Sequence, residues 1–108
     1  MPAATSVVSR RGNDQFRGVY SDTWEVSCVL NASNLADGAG ETNTIAVPGV
    51  RLGDMVIGFS SSVDLAGITV TPYVSASNVV SLRYQNESGG AVDLASATVR
   101  VVVARMVD

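Results

Sequence analysis

The 108-residue chain contains no histidine, no lysine and a single cysteine, Cys28. Without imidazole there is no histidine base, no Ser-His-Asp triad and no histidine metal ligand. Without lysine, Schiff-base chemistry and a P-loop are excluded. One thiol makes neither an intrachain disulfide nor a zinc site. Leucine is scarce, 6 residues against 19 valines, a composition poor for helices and good for strands. No apolar run approaches the ~20 residues that cross a bilayer. Met-Pro-Ala-Ala-Thr lacks the charged and apolar regions of a secretory signal, so none is expected. All seven positive charges are arginine and the net charge is −3, which argues against a basic nucleic-acid face. These absences lead to the expectation of a non-enzymatic chain with no cofactor, no small-molecule substrate and no nucleic-acid or membrane partner.

What is present divides the chain in two. Residues 1–22 hold Arg10, Arg11 and Arg17 against Asp14 and Asp22, while residues 23–108 hold four arginines and eight acids. The first stretch shows no period of 2 or 3.6 and reads as an extended N-terminal arm. Two readings of it stay open. It is a frayed terminus, or it orders against a partner, with Phe16, Val19 and Tyr20 as anchors and Arg10, Arg11 and Arg17 as ion-pairing groups. The opposite charge of arm and body suits pairing between copies.

From Thr23 onward the alternation is regular. Trp24, Val26, Cys28 and Leu30 share one face of a half-buried strand, so Cys28 reads as a buried structural thiol. Residues 31–41 form a polar loop with room for one helical turn at 33–36, and a second strand over 42–47 stops at Pro48-Gly49. The near-continuous apolar run 55–59 predicts a strand covered on both faces. Ile68, Val70, Pro72 and Val74 alternate next, with Pro72 marking an edge. Strands over 79–86 and 97–106 complete the count. Six or seven strands at a spacing near ten residues, with no long amphipathic helix, predict an all-β domain. Its expected form is a small β-sandwich of jelly-roll or Greek-key type over residues 23–108.

Val63-Asp-Leu-Ala-Gly-Ile-Thr-Val70 and Val92-Asp-Leu-Ala-Ser-Ala-Thr-Val99 share six of eight residues. Each copy predicts an Asx turn at its aspartate and a leucine closing one end of the core. The alternative, Asp64 and Asp93 as a hydrolytic carboxylate pair, needs a separation of about 5 to 9.5 Å that nothing in the sequence sets. Trp24 and Tyr84 fall on inward faces. Val29, Val79, Val102 and Met106 fall on the opposite ones, surplus apolar surface that a symmetric assembly would bury, with Val102 and Met106 as its contacts.

The segments Val47-Pro-Gly-Val-Arg-Leu-Gly-Asp54, Asp64-Leu-Ala-Gly-Ile-Thr-Val70, Arg83-Tyr-Gln-Asn86 and Gly89-Gly-Ala-Val-Asp-Leu-Ala95 belong to a stretch, residues 44–105, with a family resemblance. This stretch resembles small β-sandwich modules of tailed bacteriophages, some of them capsid decoration (cement) proteins. The resemblance implies a structural virion protein on the outer surface of an icosahedral head, made in the bacterial cytoplasm. It further implies a homotrimer that bridges neighbouring copies of the major capsid protein. Similar modules in tail or fibre proteins imply an alternative, glycan or host-surface binding through residues 31–41, residues 87–90 and an exposed Tyr73.

Overall fold

Alternation decides which way each strand faces. In the strand that opens the regular part of the chain, Trp24, Val26, Cys28 and Leu30 are buried while Glu25 and Val29 are exposed. The structure is a computed structural model of the chain and describes residues 6–11 and 20–106. Among the described residues the strands are β1 (Ser6–Arg11), β2 (Tyr20–Leu30), β3 (Gly40–Ala46), β4 (Met55–Ser61), β5 (Ile68–Ala76), β6 (Val79–Asn86) and β7 (Ala97–Met106). They make a four-stranded antiparallel sheet, β1-β2-β7-β4, and a three-stranded one, β3-β6-β5. The all-β, two-sheet reading holds.

The pairing is nested: β2 pairs with β7 and β3 with β6, while β5 pairs with β6 and touches β4 at the side of the sandwich. Between the sheets lie Trp24, Val26 and Cys28 of β2, Val99, Val101 and Val103 of β7, and Ile45, Val80, Leu82 and Tyr84 of β3 and β6. Each such side chain, once fully buried, contributes roughly 1.5–3 kcal/mol of hydrophobic stabilisation. Pro72 sits in β5, the edge its missing donor requires.

Each end of the sandwich is tied by one polar hub. At the first end, the 47–54 loop meets the β5–β6 turn, where Asn78 donates its N–H to the Val50 carbonyl and accepts from Val47 and Gly49. Arg105 joins the same end, bonded to Asp54, Asp22 and the Gly49 carbonyl and lying 5.0 Å over the Trp24 ring. At the other end, fully buried Asn86 donates to the Leu35 and Gly90 carbonyls and accepts from the N–H and hydroxyl of Ser88.

Four local expectations are corrected. Residues 6–11, read as part of an arm, are hydrogen-bonded along β2, with Arg10 opposite Thr23 and Arg11 opposite Asp22. No helical turn forms at 33–36, because Leu35 makes an isolated bridge to Val92 with N–H···O distances of 2.9 and 2.8 Å. The 55–59 run is not covered on both faces: β4 is a sheet edge, and a bulge between Val56 and Gly58 leaves Met55 and Ile57 exposed. The two echoed segments do close the same end of the core, with Leu65 and Leu94 lining one void of about 10 Å³ beside Leu30 and Tyr84. Only the first makes the expected turn, Asp64 accepting from the Ala66 N–H at 3.0 Å. Gly67, at φ 91°, turns the chain there; the second copy has Ser96, for which that conformation is unfavourable.

Candidate functional site

The outer faces of the two sheets differ in character. Outside the three-stranded sheet, Thr44, Ser81 and Tyr73 lie in one register row, Thr42, Arg83 and Thr71 in the next, and Gly40, Gln85 and Thr69 in a third. Arg83 bonds to Thr42 and Gln85, and Ser75 to Ser81, so this face is a hydroxyl-rich surface suited to water. Its one exposed large apolar group is Tyr73.

The other exposed large apolar side chains among the described residues are Val29, Leu52, Met55, Ile57 and Met106. All five belong to the four-stranded sheet or to the loop that enters its edge strand β4. A groove of about 530 Å³, lined by none of these five, runs over the outer side of β2, β7 and β4. Gly58 and Val102 are register partners in its floor, Glu25 faces Val102 from β2, and Arg100 stands between Ser27 and Ser60 one row along. The site is therefore a trough floored by Gly58 and Val102, with one carboxylate, one guanidinium and two hydroxyls around them. Among the described residues, Glu25, Arg51 and Arg100 make no side-chain hydrogen bond or ion pair.

The sequence-predicted residues fall unevenly around this groove. Val102 lies in its floor, half-buried, and Met106 is exposed at the end of β7, opposite Tyr20. Tyr20 opens β2 and is partly buried. Arg10 and Arg11 are in β1, whereas Phe16 and Arg17 lie outside the described residues. The binding set of loops 31–41 and 87–90 with Tyr73 is not assembled. Both loops lie at the Asn86 end, and Tyr73 sits five residues along β5 from Ile68, the register partner of Asn86, about 17 Å away at strand spacing.

Asp64 accepts a backbone bond in its turn, Asp93 is exposed, and neither lines the groove or the void beside Leu65 and Leu94. Among the described residues no three His, Cys, Asp or Glu side chains gather as a metal site. Cys28 is buried, and burial pushes its thiol pKa up, away from reactivity.

Gly58, Glu25, Arg100 and Leu52 were not singled out by sequence reasoning. A signal existed for one of them, since a glycine inside an apolar strand run marks a bulge or a close approach. No protein-family model, no curated protein and no solved structure matches the chain.

Proposed function

We propose that this chain is a non-enzymatic structural protein of a virion, a decoration protein that binds the outer surface of an icosahedral phage head and bridges its capsid subunits. In this reading it is made in the host bacterial cytoplasm and is displayed as a homotrimer bound to the major capsid protein. The nested pairing of β2–β7 is read as a six-stranded jelly roll, with β1 added along the free edge of β2. The observation that carries the reading is the one-sided surface: among the described residues, five of six exposed large apolar side chains belong to the four-stranded side, while the opposite face is hydroxyl-rich. Such one-sidedness is the mark of a surface that is covered in use. The sequence resemblance supplies the capsid context.

The test is the mass of the purified chain in solution by light scattering, followed by binding to phage heads assembled without it. A discrete trimer and saturable occupancy are expected. A monomer that stays off the heads refutes the proposal. A second reading, glycan binding on the three-stranded face, is favoured by exposed Tyr73 beside Thr71 and Arg83. Saturable binding on a glycan array, lost on Tyr73→Ala, would establish it instead.

A further inference from the structure

Gly58 ends the bulge in β4, and apart from that bulge the fold makes no steric demand for a glycine there. At Gly40, by contrast, an added Cβ would run into the Gln85 side chain and the Tyr84 carbonyl. At Gly58 the backbone lies outside the left-handed region, and a Cβ would meet only Val102, at 3.9 and 4.0 Å, ordinary contact. Glycine weakens a strand interior; this one sits at a bulge, and a strand glycine also admits close approach by another group. What Gly58 does here is hold the groove open above Val102.

The same molecule presents a projection of matching chemistry. Leu52 is 69% exposed, the largest value among the exposed large apolar side chains of the described residues. It stands at the tip of a turn closed from both sides: the Asp54 N–H donates to the Arg51 carbonyl at 3.0 Å, and the Arg51 N–H donates to the Asp54 carboxylate at 2.8 Å. Arg105 fixes that carboxylate in turn. A braced turn has little backbone ordering entropy left to lose when its tip binds.

We infer that Leu52 of one copy seats in the Gly58–Val102 groove of a second copy. Charge supports that occupant. Arg51, next to Leu52, and Glu25, beside Val102 on the groove rim, are opposite in sign and make no ion pair within the described residues, so Leu52 seats with Arg51 at the Glu25 end, away from Arg100. Projection and groove are different places on one chain, so the contact is heterologous and closes into a ring when its rotation allows. The inference rests on the self-assembly in the proposed function and supplies its contact.

Light scattering of the full chain tests it with four samples: wild type, Leu52→Asp, Gly58→Phe, and an equal mixture of the two variants. Each variant alone is expected to be monomeric, with self-association at least about thirtyfold weaker than wild type and an unchanged melting transition. The mixture is expected to form a two-chain species, because one intact projection still meets one intact groove. Leu52→Gln and Gly58→Leu serve as milder replacements. An oligomeric Leu52→Asp, an oligomeric Gly58→Phe, or a mixture that stays monomeric overturns this contact and leaves self-assembly standing. A monomeric wild type overturns both.

Discussion

Arg105 grips Asp54 through two hydrogen bonds, Nε to Oδ1 at 2.9 Å and Nη2 to Oδ2 at 2.8 Å, across 51 residues of sequence. The two planar groups meet in the bidentate geometry that makes arginine–carboxylate pairs strong. The Asp54 side chain is only 5% exposed, so its charge depends on this partner. Arg105→Met should therefore cost about 2–3 kcal/mol, because it leaves a buried carboxylate unpaired. Adding Asp54→Asn should recover part of that loss. Urea unfolding of the two single variants and the double closes the cycle; strictly additive losses would mean the pair is not coupled.

The same carboxyl sets an acid limit. Burial pushes the Asp54 pKa up, but the bonds from Arg105 and the Arg51 N–H, with both guanidinium charges, outweigh it and hold the group below its usual range. Glu41 is likewise lowered, its burial outweighed by the bonds from Ser33 and Asn43. A depressed folded pKa gives stability that is present above the unfolded values, about 3.9 and 4.3, and is lost as pH falls through the folded ones.

At the alkaline end, burial raises Cys28 and Tyr84, and the Glu41 charge raises Tyr84 further. The unfolded chain then ionises first, so stability falls as pH rises past about 8.5 and 10. Urea midpoints measured across pH should form a plateau between these limits. Asp54→Asn should flatten the acid limb; an acid limb as steep as in wild type would remove Asp54 as its cause.

Asn86 uses its whole side-chain amide inside the protein, two N–H bonds outward to Leu35 and Gly90 and two bonds accepted from Ser88. Asn86→Ala removes four hydrogen bonds at a buried position, although the Leu35 carbonyl keeps the Val92 N–H and the Gly90 carbonyl keeps the Ser88 hydroxyl, and should cost roughly 2–3 kcal/mol. Asn86→Asp should be no better at neutral pH, since a carboxylate would face two carbonyl oxygens, and should improve on acidification. Faster amide exchange at Gly38, whose N–H donates to the Asn86 carbonyl, would report the loosened loops. Unchanged exchange in both variants would mean the hub is dispensable.

Strand boundaries were legible wherever polar and apolar residues alternate: the expected limits 79–86 and 97–106 coincide with β6 and β7. They were illegible where the signal is non-local. The β1–β2 pairing carries no periodicity of its own across six residues, and the Leu35–Val92 bridge joins two loops that each read as coil. The exposure of Ile57 depends on a bulge, which shifts one residue's register against β7 and leaves composition untouched. For the candidate site, Val102 was found through alternation. Leu52 and Arg51 were not, because turn geometry and a partner 51 residues beyond Asp54 set their presentation.

Gly40 and Gly58 both lie in strands, and alanine at the two positions should act in opposite directions. At Gly40 the added methyl meets Arg83 Nη2 at 2.7 Å and the Tyr84 carbonyl oxygen at 2.7 Å. The arginine can swing away, but the carbonyl belongs to the neighbouring strand, so β3 must shift from β6 at a cost of about 1–3 kcal/mol. At Gly58 the methyl makes only ordinary contact with Val102, and the unfolded chain loses conformational freedom, so Gly58→Ala should stabilise the isolated fold by about 0.4–1 kcal/mol. The same methyl narrows the groove and should weaken self-association. Thermal melts at low concentration read the first effect, and light scattering at high concentration reads the second. If Gly58→Ala destabilises as much as Gly40→Ala does, the glycine serves the strand itself and the groove loses its main support.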